Sequence, residues 1–172
     1  TDNPPKSPGL YYMHPKHLVD DEAMEKWLFK VHEQTNIGLY IDVGYAMPKF
    51  GCSQAFTLIL PQGRSLHIPV ICLYQRPVWM TRFAVAESDF RCLMKLDEER
   101  DQKTAKEFVK AATLPDGSKL GPMQLEKLPK YYSLWHDVGR GEAHILLPAP
   151  KPEEVILDIK RKLMPQRQGM MV

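Results

Sequence analysis

The segment LYIDVGYAMPK, residues 39–49, ends a run of three apolar residues on a single carboxylate, Asp42. A carboxylate at the end of a buried strand can hold Mg²⁺, directly or through water, because a hard cation prefers oxygen ligands. A carboxylate in this place can also be an ordinary turn residue, since aspartate hydrogen-bonds readily to nearby backbone. The role of Asp42 therefore depends on what lies beside it.

Two further polar segments suggest what lies there. QRP follows the apolar run VICLY, and QGR forms a predicted turn between the two apolar runs. A glutamine can orient an attacking water by hydrogen bonds, and an arginine can neutralise charge on a transferring phosphoryl group. We expect Asp42, Gln75 and Arg64 to share one location at the ends of strands.

The elements that would position these residues alternate along the chain. Residues 20–34 are predicted to be a helix, because acids begin it and apolar residues recur at helical spacing. The apolar run 39–41 is typical of a parallel strand buried on both faces. Residues 53–62 are predicted to be a helix that Pro61 kinks or ends, and residues 68–74 a second apolar strand. Together they make a βαβ unit.

The second half of the chain repeats the alternation. Residues 90–96 are predicted as a third strand and residues 98–112 as a helix, and an Asp-Gly pair in the next loop marks a turn. Residues 131–138 and 143–147 are predicted to form a β-hairpin, and residues 152–163 a terminal helix. The predicted fold class is α/β, a mostly parallel sheet flanked by helices, which places chemistry beyond the carboxyl ends of its strands.

Composition indicates one ordinary domain. The 172 residues are 44% hydrophobic and 26% charged with a net charge of +2, too balanced to indicate a polyanion or membrane partner. Three cysteines without a CxxC pair predict neither a disulfide framework nor a zinc site, which favours the cytoplasm. Neither a membrane span nor a secretory signal is predicted. We expect a Pro-rich segment with a short strand at 1–19, a single domain at 20–164 and a flexible tail at 165–172.

Four segments taken together carry a family resemblance: LYIDVGYAMPK, QGRSLHIPVICLYQRPVW, RFAVAESDFRCLMKLDEERD and YYSLWHDV. In order and spacing, over about residues 10–150, they resemble the C-terminal half of the P-loop ATPases of the HerA/FtsK type, particularly the ATP-binding proteins of bacteriophages and prophages. The resemblance implies a partial RecA-like core. It also implies that Asp42 is the Walker B aspartate and Mg²⁺ ligand, and that Gln75 is the sensor glutamine.

The same resemblance implies roles for two arginines. Arg64 is similar to an arginine that serves a neighbouring subunit as a finger, and Arg76 to one that contacts phosphate or the subunit boundary. Such enzymes are typically rings, commonly hexamers, that couple ATP hydrolysis to moving or packaging DNA. A phage-encoded member would work in the cytoplasm of the host cell.

Two features depart from the family pattern. The family's strand usually ends in Asp-Glu, whose glutamate polarises the attacking water, whereas Val43 has no acceptor and cannot act as a base. The sequence also contains no G-x-x-x-x-G-K-[ST] loop to bind phosphate. Both features argue against ATP hydrolysis by this chain alone. We expect the Walker A half to be missing from it, by natural truncation or by loss of residues.

Two hypotheses follow from these observations. The chain is part of an ATP-dependent motor that translocates or packages DNA, with a P-loop upstream or on another chain. Alternatively it is a catalytically inactive scaffold or assembly domain, which Val43 favours. Among the remaining candidates, His14 and His17 are expected to be solvated, Trp79 to pack between protomers, and the charge run at 97–101 to be a solvated helix start.

Overall fold

Helices and short strands alternate in the part of the chain that the computed structural model describes, residues 3–7, 9, 11, 21–42 and 54–163. In chain order the elements are α1 (Asp21–Gln34), β1 (Leu39–Ile41), α2 (Gln54–Leu66), β2 (Val70–Cys72), a 3₁₀ turn (Pro77–Trp79), α3 (Arg82–Ala86), β3 (Phe90–Leu93), α4 (Glu99–Lys106), β4 (Ala112–Thr113), β5 (Lys119–Leu120), a second 3₁₀ turn (Pro122–Lys127), β6 (Ser133–Asp137), β7 (Glu142–Leu146) and α5 (Pro152–Leu163).

The first half forms the predicted βαβ unit. Strands β1 and β2 pair in parallel with Ile41 opposite Cys72. The backbone N–H of Leu73 donates to the Ile41 carbonyl at 2.8 Å, so the pairing extends beyond β2. Apolar side chains of α1 and α2 cover one face of the pair and make the first core, formed by Leu28, Val31, Leu39, Ala55, Phe56, Ile59 and Ile68.

The second half is built on an antiparallel sheet in the order β3-β6-β7. Its strands place Leu93 opposite Leu134, and Leu134 opposite Ile145, on the face that meets α4. The predicted hairpin and the terminal helix are both confirmed. The second core consists of Leu93, Ala105, Val109, Ala112, Leu125, Leu128 and Leu134.

The α/β class with a parallel sheet is confirmed, but parallel pairing in the described residues is confined to β1 and β2. The predicted third strand pairs with β6 and runs antiparallel to it. A short apolar run has the same appearance whichever way its neighbour runs, so the sequence pattern could not distinguish the two arrangements. The Asp-Gly turn is confirmed between β4 and β5, where Gly117 has φ +81° and the Ser118 N–H donates to Asp116 at 2.9 Å.

Helix α2 does not end at Pro61, and the predicted turn at 62–64 is wrong. The helix continues to Leu66 because an exposed proline removes one backbone donor, while the residues on the buried side keep their packing. It ends where His67 takes φ +54° and the Ile68 N–H donates to the Gly63 carbonyl at 2.7 Å. Arg64 therefore lies in the last turn of a helix.

Three other expectations need correction. The strand at 39–41 is not buried on both faces, because Tyr40 is 65% exposed and its cross-strand partner Ile71 is 59% exposed. The third strand ends at Leu93 and the helix after it at Lys106, shorter than the predicted 90–96 and 98–112. The chain leaves that helix early because Ala112 is buried in the second core and pairs with Leu120.

Some predicted segments fall on residues outside the described ranges. These are the strand at 10–13, apart from Tyr11, and the tail at 165–172. Among the helices of the described ranges, none has the length and apolar character needed to cross a bilayer.

Candidate functional site

Asp42 and Gln75 follow two paired parallel strands at the same edge of the sheet. Asp42 comes directly after β1, and the Leu73–Ile41 hydrogen bond places it beside the chain leaving β2. Gln75 lies two residues after Leu73, and the side chains of Asp42 and Gln75 are both exposed. This is the edge at which parallel sheets collect functional groups.

Glu25 is a second carboxylate at this edge that the sequence analysis missed. Helix α1 runs into the start of β1, so its first turns lie towards the opposite, carboxyl end of the strand. The Ala55 backbone N–H, in the first turn of α2, donates to Glu25 Oε1 at 2.9 Å. Glu25 Oε2 is buried without a hydrogen-bond partner in the described part of the chain. The first turn of α2 has no acidic residue of its own, so Glu25 supplies the negative charge that a helix start favours.

The carboxylates described at this edge do not make up a full set of Mg²⁺ ligands. Within the described ranges, no group of three or more His, Cys, Asp or Glu residues could hold a metal ion. Asp42 therefore fits an ion that takes most of its oxygen ligands from phosphate and water, as Mg²⁺ commonly does. Val43, His14 and His17 lie outside the described residues.

Arg64 does not share the location of Asp42 and Gln75, contrary to expectation. The end of α2 meets the start of the strands, since the Asn36 N–H ahead of β1 donates to the Leu66 carbonyl at 3.1 Å. Arg64 consequently lies towards the amino ends of β1 and β2. Its Nη2 is 2.5 Å from Asp89 Oδ1, in a pair whose side chains are 83% and 63% exposed.

Arg76 is held by acidic residues of α4 and its N-terminal cap. Its Nε donates to Asp101 Oδ2 at 2.9 Å, and its Nη2 donates to Glu98. The guanidinium also lies 5.6 Å from the centre of the Trp79 ring, within cation–π range. The hydrogen bond to Asp101 is the main cause that raises the pKa of Arg76, so the side chain is a permanent cation.

Asp101 departs from its predicted environment. It belongs to a charge run predicted to be solvated, yet it is only 4% exposed. Besides Arg76 it accepts a hydrogen bond from the Val78 backbone N–H at 3.2 Å. Its position three residues after the cap of α4 was the available signal, because a carboxylate there can accept donors as well as face water.

A curated relative matches most of the chain. DNA packaging ATPase P9 of Enterobacteria phage PRD1 is 41% identical over 155 residues, which cover 88% of this chain and 66% of the relative. The chain thus spans just under two thirds of that protein's length. No protein-family model matches the sequence. The predicted resemblance to phage-encoded ATP-binding proteins is confirmed at this level.

Solved structures of viral packaging enzymes share the fold. The genome packaging NTPase B204 from Sulfolobus turreted icosahedral virus 2, in complex with AMPPCP, aligns with a TM-score of 0.63 at 17% identity, covering 76% of this chain and 66% of that one. The DNA-packaging ATPase B204 from Sulfolobus Turreted Icosahedral Virus aligns with a TM-score of 0.58 at 16% identity, covering 80% and 66%. The α/β arrangement described above is therefore shared with these solved structures.

Proposed function

We propose that this chain, a relative of a phage DNA packaging ATPase, is the Walker B and sensor half of a HerA/FtsK-type motor that packages DNA. Residues 20–164 would form its ATPase domain. The observation that carries the proposal is the convergence of Asp42 and Gln75 at the carboxyl edge of a parallel strand pair, in a chain 41% identical to such an enzyme.

Asp42 and Gln75 have distinct roles in this proposal. Bound ATP with Mg²⁺ supplies the phosphoryl group to be transferred and the cation that neutralises its charge. The Asp42 carboxylate would hold the cation, and the Gln75 amide would orient the attacking water by hydrogen bonds. Complexes of the structural relatives with AMPPCP and ATP-gammaS support a nucleotide ligand for this fold.

The phosphate-binding loop must come from outside these 172 residues, because the sequence lacks the G-x-x-x-x-G-K-[ST] motif. The outer face of the β1–β2 pair supports this inference. It carries Tyr40, Ile71 and Leu73, all exposed, whereas parallel sheets are almost always covered on both faces. A polypeptide that adds strands or a helix here would complete the sheet.

Arg64 fits a role towards a neighbouring subunit better than a role in its own site. It lies at the far edge of the strands from Asp42, is largely exposed, and is held by a surface ion pair that contributes little stability. An arginine finger acts on the nucleotide of the next protomer, so we propose a ring, such as a hexamer, with DNA as its substrate.

The alternative is a scaffold that keeps the fold without hydrolysis. One observation favours it: Val43 stands where the family has a glutamate, and valine cannot accept a proton. The two functions differ in turnover, which makes them separable by experiment.

The test is ATP turnover by the protein produced together with a P-loop region, upstream or on a partner chain, compared with this chain alone. We expect turnover only in the completed protein and stimulation by double-stranded DNA. Asp42→Asn and Gln75→Ala should each lower kcat by about 100-fold, the size typical of losing one contact made in the transition state.

Asp116→Asn is the matched control, since it removes an exposed carboxylate in the turn between β4 and β5 and should leave kcat unchanged. Full activity in Asp42→Asn would overturn the assignment of Asp42. Nucleotide binding without turnover in the completed protein, with turnover appearing in Val43→Glu, would instead favour the scaffold.

A further inference from the structure

The backbone just after Gln75 is anchored by one carboxylate. Asp101 on α4 uses both of its oxygens on this segment: Oδ2 accepts from Arg76 Nε at 2.9 Å, and Oδ1 accepts from the Val78 N–H at 3.2 Å. The first of these residues is the direct neighbour of Gln75. A single side chain therefore holds the side chain of Arg76 and the backbone of Val78, both within three residues of the proposed sensor.

The anchor is buried, which distinguishes it from an ordinary surface ion pair. The Asp101 side chain is 5% exposed and that of Arg76 is 30% exposed. Removing one partner of a buried pair leaves an uncompensated charge, so the arrangement is strongly held once formed. Glu98 and the Trp79 ring contact the same guanidinium and limit its freedom further.

The anchor also joins the two cores. The segment that it holds continues from β2, whose flanking residues pack in the first core, while α4 contributes Ala105 to the second core. The anchor therefore ties the position of α4 to the position of the segment that leaves β2. The guanidinium of Arg76 is committed to carboxylates of its own chain, so it serves as a link in this arrangement.

We propose that Asp101 is a positioning residue that holds Gln75 at the edge of the sheet beside Asp42, acting through Arg76 and Val78. The inference rests on the proposed function for what Gln75 does once it is held. It assigns Arg76 to the anchor, whereas the family resemblance implies contact with phosphate or the subunit boundary. The hydrogen bonds of Asp101 are testable apart from any activity.

The first test is amide hydrogen exchange of this chain, read on peptides that cover residues 75–80. Asp101→Ala should speed exchange there by about tenfold or more, because the Val78 N–H loses its acceptor and the 3₁₀ turn that contains Val78 loses its support. Asp101→Asn, which keeps the shape but not the charge, provides a second variant if the alanine does not fold. Glu99→Ala is the control, since this exposed residue of the same helix pairs with Lys103 and makes no contact with Arg76. Unchanged exchange in both Asp101 variants would overturn the anchor.

The second test uses turnover by the completed protein. We expect Asp101→Asn to lower kcat by about 10- to 100-fold with little change in KM for ATP, because a misplaced water-orienting group affects the chemical step more than binding. In a Gln75→Ala background the same substitution should have almost no further effect. Additive losses, or a wild-type kcat in Asp101→Asn, would contradict the positioning role. Absence of turnover in the wild-type completed protein would count against the proposed function, and the exchange experiment would still decide the anchor.

Discussion

His136 is a buried base on strand β6. It is 4% exposed on the core side of β6, between Arg91 and Ala143 on the neighbouring strands. In the described part of the chain neither ring nitrogen has a partner at full hydrogen-bond geometry, although the Phe108 carbonyl lies close enough to favour the charged ring. Burial lowers its pKa, and the positive charges of Arg91 and Lys110 act in the same direction, outweighing Asp137 and the Phe108 carbonyl. The folded protein therefore favours the neutral imidazole.

This environment predicts a pH dependence of stability. A histidine whose pKa is lowered by folding binds its proton more readily in the unfolded chain, so the free energy of unfolding falls as pH drops below about 6.5. The loss continues until the pH is below the pKa of His136 in the folded protein. His136→Phe should remove this component. The measurement is urea unfolding between pH 5 and 8, expressed as the difference between wild type and variant.

His144→Gln is the control for that experiment, because His144 is an exposed histidine on the adjacent strand β7. The free energy of unfolding of His144→Gln should differ from that of wild type by about the same amount at every pH in this range. If the difference in free energy of unfolding between wild type and His136→Phe did not change with pH, the protonated imidazole must find a partner or water in the folded protein.

Residues at strand ends were predictable from the sequence, while their partners were not. Asp42 and Gln75 each follow an apolar run, which is a local signal. Asp101 looks like any other acid in a charged helix start, and its partner lies 25 residues away along the chain. Only the packing of α4 against the turn at 77–79 brings them together. Glu25 was missed for the same reason, since its partner is the start of another helix.

At the scale of elements, α2 depends on one close approach. A Cβ added at Gly63 would lie 2.7 Å from the Ile68 carbonyl oxygen, closer than real contacts allow. Gly63→Ala should therefore destabilise the protein by about 1–2 kcal/mol, because the strain of overpacking exceeds the gain in helix propensity. Chemical denaturation measures the change in the free energy of unfolding.

Ser65→Ala in the same helix provides the comparison, since this side chain is exposed and should change stability by less than about 0.5 kcal/mol. Wild-type stability in Gly63→Ala would show that the helix end can shift to accept a methyl group.

Helices with clear apolar spacing were predicted well, and boundaries set by tertiary contacts were not. Spacing and acidic starts predicted α1 and α5 to within a residue. The end of α2 is set by Ile68 returning to bond with Gly63, and the end of α4 by the chain turning towards Ala112 in the core. Neither contact has a signature in the local sequence, whereas Pro61 is a local signal for a helix end that the packing overrides.

At the scale of the whole molecule, two arginines of the first half bond to carboxylates of the second. Arg76 bonds to buried Asp101, while Arg64 bonds to exposed Asp89. The pairs differ in strength because solvent screens the exposed one. Losing Arg64 should lower the free energy of unfolding by less than about 1 kcal/mol. A large effect of Arg64→Ala on activity would therefore not come from lost stability.

A mixing experiment tests whether that effect arises between subunits. In the proposed motor, completed by its P-loop region, Arg64→Ala and Asp42→Asn should each abolish most turnover alone. When the two variants are mixed in equal amounts, turnover should recover to about a quarter of the wild-type value. Random assembly gives about a quarter of the interfaces a native Asp42 on one subunit and a native Arg64 on its neighbour. Arg82→Ala, another exposed arginine, should behave as wild type. No recovery on mixing would place Arg64 outside the shared site.

The exposed face of the β1–β2 pair also has a consequence for producing the protein. Tyr40 and Ile71 present an exposed apolar surface. Within the described residues, β1 and β2 pair only with each other, so each strand keeps one unpaired edge. Unpaired strand edges and exposed apolar surfaces promote pairing with strands of other chains. The chain without a covering polypeptide should therefore self-associate as its concentration rises. Production of the two parts together would suppress that aggregation, and the order in which they are synthesised would influence the yield of assembled protein.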